Sequence, residues 1–492
     1  MSLINISNLT FAYDGGHENI FENVSFQIDT DWKLGFTGRN GRGKTTFLNL
    51  LLGHYEYKGV ISASVNFDYF PFKVADISVS TIEIVSAAAG EFERWQLERE
   101  LSLLQVADDV LERPFNTLSH GEQTKILLAC LFLKENNFLL IDEPTNHLDS
   151  HARLIVSNYL RSKKSFILVS HDREFLDNSI DHILAINKAN IEIQRGNFSS
   201  WWANKQRQDN FELSQNAKLK QEIKQLTEAA VRTSKWSDKV EKSKNKPLSS
   251  GLSADKGFIG HKAAKMMKRS KNLEKRQLEA VGDKSKLLQN VERMDALSIK
   301  PLAYHANRLV EFGDVSISYG EKKVCEKISF AINTGERIAI TGKNGSGKSS
   351  IMKLVTGTGV TYKGTVNIGS KLIVSYVSQS AEHINGSLKD FAKNNKIDES
   401  LFKAILNKLD FSKDQFEQNI QDYSEGQKKK VLIAKSLCEQ AHLYIWDEPL
   451  NFIDIFSRMQ IEELIRRYEP TMLFVEHDGA FVREMATKIV AV

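Results

Sequence analysis

The chain has 492 residues, which is too many for one hydrophobic core and favours about three or four domain-sized units. Its apolar fraction of 41% and charged fraction of 26% exclude a disordered chain. No apolar run approaches the roughly 18 residues of a membrane span, so no membrane partner is expected. The formal net charge is only +4, yet residues 201–300 hold 23 Lys and Arg against 12 Asp and Glu.

The N-terminus and the cysteines indicate a cellular location. The first residues carry neither a basic segment nor a long apolar one, so no secretory signal is expected. Cys130, Cys325 and Cys438 lie far apart in apolar segments. This pattern favours reduced core thiols over disulfides or metal ligands, and we expect a cytoplasmic protein.

Residues 1–203 carry the strand, glycine loop and helix of an α/β nucleotide-binding domain. Short apolar runs predict strands at Leu3–Ile6, Phe21–Ile28 and Leu34–Thr37. Residues 38–45 then match GxxxxGK[ST] and lead into a helical pattern at Thr46–Leu52. The backbone N–H groups of such a loop wrap phosphates, and its lysine and hydroxyl contact phosphate and Mg²⁺. A glycine-rich turn without nucleotide is the alternative.

Polar residues that can bind phosphate or take part in catalysis follow in the same domain. Ser119 and Gly121 precede a helix, whose N-terminus can receive a γ-phosphate. Asp142 and Glu143 end a continuous apolar run and are placed to hold Mg²⁺ and to polarise an attacking water. His171 also follows an apolar strand and can contact the γ-phosphate or hold the water. Taken singly, each has an ordinary structural explanation as a cap or strand end.

Residues 204–304 are predicted to be a helical hairpin. Residues 205–243 contain neither Gly nor Pro, and their apolar residues recur at the spacing of a coiled-coil seam. Pro247 and Gly260 bound a segment that breaks the helix, and apolar residues recur at sevens on the returning stretch. A polyanionic partner and a solvated helical connector both account for the positive charge here.

Every motif returns in residues 305–492. The offset is 304 residues from Lys44 to Lys348 and 306 residues from His171 to His477. Chance matches would not keep this register, so the chain contains two copies of one nucleotide-binding domain. The loop residues expected to bind nucleotide are Gly38, Asn40, Gly41, Gly43, Lys44, Thr45 and Thr46, and Gly342, Asn344, Gly345, Gly347, Lys348, Ser349 and Ser350. The other second-copy residues are Ser424, Gly426, Asp447, Glu448 and His477.

With Walker A loops, signature segments, Walker B acids and switch histidines present twice, the chain resembles the ATP-binding-cassette (ABC) superfamily. The resemblance covers residues 1–203 and 305–492, called the first and second cassettes below. Two cassettes joined by a segment that contains Met266-Met267-Lys268-Arg269-Ser270-Lys271 resemble the ABC-F subfamily of ribosome-binding ATPases. Residues 32–35 and 444–451 are most similar to the Lsa-type antibiotic-resistance proteins, which protect ribosomes.

The resemblance implies a monomer whose cassettes form a head-to-tail sandwich around two ATP molecules. Each ATP would lie between one cassette's Walker A loop and the other cassette's signature, and Glu143 and Glu448 would be catalytic with His171 and His477. Tyr13 and Tyr319 would stack on the adenines. The residues implied in Mg²⁺ binding are Thr45 and Asp142 at one site, and Ser349, Gln379 and Asp447 at the other.

One departure from the family pattern predicts unequal sites. Gln379 matches the glutamine that contacts Mg²⁺ in the family, but the first cassette has Phe72 at that place. Since phenylalanine cannot ligate a metal, we expect the first site to hold Mg²⁺ less well.

The resemblance further implies binding of the ATP form to the exit site of the 70S ribosome. The hairpin tip would reach past the P-site tRNA towards the peptidyl-transferase centre of 23S rRNA and dislodge lincosamides, streptogramin A or pleuromutilins, and ATP hydrolysis would release the protein. The residues expected to contact RNA are Lys244, Lys246, Phe258, Lys262, Lys265, Lys268, Arg269 and Lys271.

Proteins of three other functional classes carry similar motifs. A housekeeping ABC-F translation factor would carry all of them. In the ATPase subunit of a transporter, a long basic hairpin between cassettes would be unexpected. A DNA-repair ATPase would normally show zinc-binding cysteine clusters or far longer coiled coils.

Overall fold

A computed structural model describes residues 2–13, 19–146, 148–187, 191–242, 261, 264–269, 271–273, 275–276, 279, 295–320, 322–357 and 359–492. The chain forms two compact units. One comprises Met1–Ile186, Ile191–Ser199 and Met294–Val492, and the other comprises Asn187–Asn190 and Ser200–Arg293. Apart from residues 187–190 and 200–203, both cassettes therefore belong to the first unit.

The first cassette alternates strands and helices. Its strands are β1 (Leu3–Phe11), β2 (Phe21–Asp29), β3 (Lys33–Thr37), β4 (Lys58–Ser62), β5 (Asn66–Phe70), β6 (Asn137–Asp142), β7 (Phe166–Val169), β8 (His182–Ile186) and β9 (Ile191–Arg195). Its helices are α1 (Lys44–Leu51), α2 (Thr81–Ala89), α3 (Arg94–Leu103), α4 (His120–Leu133), α5 (Ser150–Ser162) and α6 (Arg173–Ser179). Helix α7 (Phe198–Lys242) follows.

The second cassette repeats this order. Its strands are β10 (Arg308–Tyr319), β11 (Lys322–Asn333), β12 (Arg337–Thr341), β13 (Tyr362–Ile368), β14 (Val374–Val377), β15 (Leu443–Asp447), β16 (Met472–Val475) and β17 (Lys488–Ala491). Its helices are α8 (Lys348–Thr356), α9 (Leu388–Asn394), α10 (Glu399–Lys408), α11 (Lys413–Glu417), α12 (Glu425–Cys438), α13 (Ile455–Tyr468) and α14 (Gly479–Met485). The predicted α/β architecture with two ABC-type ATPase domains is confirmed.

Each cassette has a central sheet whose order explains how its motifs meet. The orders are β5-β6-β7-β3-β8-β9 and β14-β15-β16-β12-β17, and the strands β6, β7 and β3 run parallel, as do β15, β16 and β12. The Walker A loop follows β3, the Walker B acids end β6 and the switch histidine follows β7. Since parallel strands end at one edge of a sheet, these three segments lie side by side there.

The continuous apolar runs that end in the Walker B acids are buried strands. Residues 138–141 of β6 are at most 2% exposed, and residues 443–446 of β15 are fully buried. A parallel strand covered on both faces requires such an uninterrupted apolar run. Smaller antiparallel sheets, β2-β1-β4 and β11-β10-β13, complete the two cassettes.

The segment that precedes the second cassette contributes to its core. Leu297 and Ile299 are each 3% exposed and pack in one apolar cluster with Phe402 and Leu464. Burial of such side chains contributes about 1.5–3 kcal/mol each. The predicted linker boundaries, 204 and 304, stay a prediction, but these two residues belong to the compact unit of the cassettes.

Helix α7 accounts for the first half of the predicted hairpin. It has 45 residues and begins at Phe198, before the predicted start of the hairpin at residue 204. Among the described residues, no helix is long and apolar enough to cross a membrane. On the returning stretch, residues 264–269 and 271–273 are helical. Lys265, Lys268, Arg269 and Lys271 are exposed there, whereas Lys244, Lys246, Phe258 and Lys262 lie outside the described residues.

Candidate functional site

The two Walker A loops have the backbone geometry of a phosphate cradle. Gly41 and Gly345 both have φ of +82°, and a Cβ added at either would meet no atom within 4 Å. Gly43 and Gly347 also have positive φ, but there a Cβ would lie 2.5 and 2.8 Å from neighbouring side chains. Packing and backbone conformation thus require two glycines in each loop, and one of them faces open space where a phosphate fits.

The loop lysines are buried and held by their own loops. Lys44 Nζ donates to the carbonyls of Gly38 at 2.6 Å and Arg39 at 3.0 Å. Lys348 Nζ donates to the carbonyls of Gly342 at 3.0 Å and Lys343 at 2.9 Å. Burial lowers the pKa of both ammonium groups, and nearby carboxylates oppose that shift. The ammonium groups are therefore positioned in the loops where they can contact phosphate oxygens.

In the first cassette, hydrogen bonds only partly offset the burial of the Walker B carboxylates. Asp142 Oδ2 accepts hydrogen bonds from Thr45 Oγ1 at 3.3 Å and Tyr69 OH at 2.9 Å. Glu143 Oε1 is buried without a hydrogen-bond partner among the described residues, and His171 Nε2 is 3.6 Å away. Burial and the charge of Asp142 raise the pKa of Glu143 to about 8. Glu143 consequently carries a proton at neutral pH in this conformation.

The second cassette surrounds its glutamate with hydrogen-bonding groups. His477 Nε2 lies 3.2 Å from Glu448 Oε1, and Asn451 Nδ2 donates to Glu448 Oε2 at 2.7 Å. Burial alone would raise the pKa of Glu448, but hydrogen bonds with His477 and Gln379 and the charge of Lys429 lower it to about 2. Glu448 is therefore ionised and has the protonation state of a general base.

Residues that could hold Mg²⁺ also differ between the cassettes. In the second, Asp447 accepts a hydrogen bond from Ser349, while its buried Oδ1 has no hydrogen-bond partner among the described residues. That oxygen and the Ser349 hydroxyl fit a hard cation, and Gln379 lines the same cavity as Ser349. In the first, Tyr69 and Thr45 both donate to Asp142 Oδ2, and Phe72 and Tyr69 line one cavity of about 710 Å³.

The signature of the second cassette lies against the Walker A loop of the first. Ser424 caps α12, where its Oγ accepts from the backbone N–H of Gln427 at 3.4 Å. A Cβ added to Gly426 would lie 3.4 Å from Asn40 Nδ2, which itself donates to the carbonyl of Phe452 at 3.3 Å. The predicted first site thus combines residues that are almost 400 positions apart.

The predicted second site is a cavity of about 1060 Å³. Ser119 and Gly121 of the first cassette line it together with Lys348, Glu448 and His477 of the second. The remaining predicted residues that line it are Tyr319, Asn344, Gly345, Gly347, Ser349, Ser350 and Gln379. Its volume matches the upper end of the range for small-molecule sites, roughly 300–1,000 Å³.

The tyrosines expected to stack on adenine occupy equivalent places. Tyr13 OH lies 2.8 Å from Thr46 Oγ1, and Tyr319 OH lies 3.0 Å from Ser350 Oγ. Their side chains are 45% and 50% exposed. Each ring is therefore fixed at its hydroxyl end and has area available for a base.

Several residues that the structure places at the sites have no site role predicted from the sequence. Tyr69 and Asn451 contact the Walker B acids directly. Burial lowers the pKa of Lys44, and Asp454 of the opposite cassette opposes that shift. Asn451 and Asp454 follow the Walker B segment at fixed offsets in the repeat, a signal that could have identified them. The role of Tyr69 depends on strand pairing, because β5 lies beside β6.

Comparisons with known proteins match these features. The family model described as ABC transporter matches residues 21–146 and 325–451. An uncharacterized ABC transporter ATP-binding protein of Bacillus subtilis, YkpA, is 26% identical over 100% of this chain and 94% of its own length. The ribosome protection protein VmlR of the same organism is 25% identical over 98% of this chain and 85% of its own.

A solved structure shares the fold. It is the archaeal ribosome recycling factor aABCE1 in complex with the archaeal ribosomal stalk protein aP1, with a TM-score of 0.65 and 20% identity. The match covers 98% of this chain and 87% of that chain. At this identity the likeness supports the tandem-cassette fold alone.

Proposed function

The chain belongs to the ABC transporter family, and on that premise we propose that it is an Lsa-type ABC-F protein that binds the ribosome and protects it from antibiotics. The antibiotics are lincosamides, streptogramin A and pleuromutilins, which act at the peptidyl-transferase centre. One observation carries the proposal: both halves of both ATP sites belong to a single chain. Similarity to VmlR over 98% of the chain supports the ribosome as partner.

The protein is an ATPase, and its residues can be assigned steps in hydrolysis. Lys44 and Lys348 would neutralise phosphate charge, and the signature glycines would receive the γ-phosphate at a helix N-terminus. Glu448, ionised and held by His477 and Asn451, would orient the attacking water and take its proton.

Mg²⁺ would be held by Ser349, Asp447 and Gln379 at the second site and by Thr45 and Asp142 at the first. A bound Mg²⁺ would neutralise negative charge on the phosphates. The protein side chains contribute the orientation, since Thr45 already donates to Asp142 at 3.3 Å.

ATP would couple the cassettes because it contacts both at once. A ligand that lies between a Walker A loop and the opposite signature binds the closed sandwich better than an open one and shifts the population towards closure. Hydrolysis would remove that bridge. In our proposal the closed, ATP-bound monomer enters the exit site in the cytoplasm, and hydrolysis releases it.

The segment between the cassettes would contact RNA. Lys265, Lys268, Arg269 and Lys271 are exposed on helical backbone, and such side chains release counterions when they neutralise phosphates. In the ribosome they would face 23S rRNA and the P-site tRNA. Binding should then weaken steeply as salt rises.

The proposal is tested by trapping the ATP-bound protein. The double variant Glu143→Gln with Glu448→Gln keeps both nucleotide sites but lacks both candidate bases, so with ATP it should sediment with 70S ribosomes. The matched control adds Lys44→Ala and Lys348→Ala, which should abolish sedimentation by weakening ATP binding. Recovery of the trapped variant in the supernatant, or with membranes, would overturn the proposal.

The resistance role is tested separately. Expression of the unsubstituted chain in a drug-sensitive host should raise the inhibitory concentration of at least one of the three drug groups, and the double variant should not. If sedimentation holds but none of the three concentrations changes, the chain is a housekeeping ABC-F translation factor.

A further inference from the structure

One Walker A side chain reaches across to the opposite cassette. Arg39, the second residue of the first loop, is 4% exposed although it carries a full charge. Its Nη1 lies 3.5 Å from Asp410 Oδ2, and its guanidinium carbon lies 5.5 Å from the centroid of the Phe456 ring. Asp410 and Phe456 both belong to the second cassette. The loop that cradles phosphate is therefore attached to the other half of its site.

Asp410 and Phe456 are themselves held by the signature helix α12. Lys430 of that helix donates to the carbonyl of Leu409 at 2.8 Å and pairs with Asp454 at 2.8 Å. Asp454 caps α13, whose first turn carries Phe456. Contacts thus run from Arg39 through Asp410 and Phe456 to the helix that begins with the signature.

The equivalent positions at the second site carry different residues. By the repeat offset, the residue equivalent to Arg39 is Lys343, the residue equivalent to Asp410 is Gln105, and the residue equivalent to Phe456 is His151. The backbone confirms this equivalence, since Asp410 and Gln105 have φ of 68° and 52°. Lys343, Gln105 and His151 all line the cavity of about 1060 Å³.

These residues cannot reproduce the contact. A lysine lacks the planar guanidinium that pairs with a carboxylate and stacks on a ring at the same time. Gln105 is uncharged and cannot form an ion pair with Lys343. The Lys343 side chain is also exposed, whereas Arg39 is buried.

We propose that Arg39, Asp410 and Phe456 form a latch that holds the second signature against the first Walker A loop. They are positioning residues, and their effect is that nucleotide leaves the first ATP site more slowly than the second. The inference rests on the ATPase fold and is independent of ribosome binding.

The test measures nucleotide release from each site in the absence of ribosomes. The double variant Glu143→Gln with Glu448→Gln is loaded with a fluorescent ATP analogue and chased with ATP. Release should have a slow and a fast phase, and adding Lys348→Ala should leave only the slow one. A single phase from the intact pair of sites would overturn the proposal.

Breaking the latch should affect one phase only. Asp410→Gln, which copies the second site, should accelerate the slow phase about two- to fivefold, the range for loss of a partly exposed charge pair. The fast phase should not change. The matched control is Glu417→Gln, which removes an exposed charge from the same subdomain. An equal change in both phases, or in neither, contradicts the latch.

Building the latch at the second site provides the reverse experiment. Lys343→Arg, Gln105→Asp and His151→Phe together should slow the fast phase towards the slow one. If thermal melting shows that Asp410→Gln is unfolded, the triple variant at the second site tests the proposal in its place. An unaltered fast phase in a folded triple variant then rejects the proposal.

Discussion

The two ATP sites contain almost the same motifs, yet their surroundings differ in charge, in hydrogen bonding and in packing. At the first site the buried Oε1 of Glu143 has no hydrogen-bond partner among the described residues, while at the second Glu448 is held by His477 and Asn451. A Cβ at Gly426 would lie 2.4 Å from the Phe452 carbonyl, whereas at Gly121 the nearest atom is 3.7 Å away. Identical motifs therefore do not imply identical chemistry, because burial and neighbours decide the protonation state of the base.

The largest effect should come from removing one base at a time. Glu448→Gln should reduce the single-turnover rate of ATP hydrolysis by about 10²–10⁴-fold, the usual contribution of a general base. Glu143→Gln should reduce it far less, because Glu143 is protonated at neutral pH in this conformation. Phosphate release in single-turnover assays measures both. Equal single-turnover rates for the two variants would mean that the sites are equivalent.

The pH dependence of each site should differ in shape. In the Glu448→Gln protein, hydrolysis depends on Glu143, whose pKa is raised to about 8. The carboxylate forms only as pH passes that value, so the rate should increase about tenfold per pH unit below it. In the Glu143→Gln protein the rate should be flat between about pH 6 and 9, since the pKa of Glu448 is about 2. Parallel pH profiles for the two variants would contradict a difference in protonation between Glu143 and Glu448.

Restoring the missing glutamine should make the sites more alike. Phe72→Gln, measured in the Glu448→Gln background, should lower the Mg²⁺ concentration for half-maximal hydrolysis at the first site several-fold. The physical reason is an added oxygen ligand for a hard cation. Gln379→Phe in the Glu143→Gln background is the matched reverse change and should raise that concentration. No shift in either direction would show that this position does not reach the metal.

The smallest effect concerns the tyrosine that pairs with Asp142. Tyr69→Phe removes a 2.9 Å hydrogen bond to Asp142 Oδ2 without changing the ring. Loss of such a bond to a charged group costs about 1.5–3 kcal/mol in stability when the partner is left buried. Chemical denaturation should detect it. Tyr376→Phe is the control at the second site, and an equal loss there would mean that the hydroxyl of Tyr69 is not distinctive.

The repeated architecture was predictable because it rests on short-range signals. The glycines of each phosphate loop are required by positive φ, and the buried strands β6 and β15 by their uninterrupted apolar runs. The long helix α7 follows from a stretch without Gly or Pro. Each signal lies within a few neighbouring residues, so the sequence alone determined the two cassettes, the order of their motifs and the identity of the candidate bases.

Only the tertiary structure decided which residues complete each site and how charged they are. The contacts of Arg39 with Asp410 and Phe456 join positions about 370 to 420 residues apart, and no local pattern encodes them. The raised pKa of Glu143 and the lowered pKa of Glu448 likewise depend on burial and on partners brought in by other strands and loops. A motif specifies which groups are available, whereas the packing around it determines their protonation and their partners.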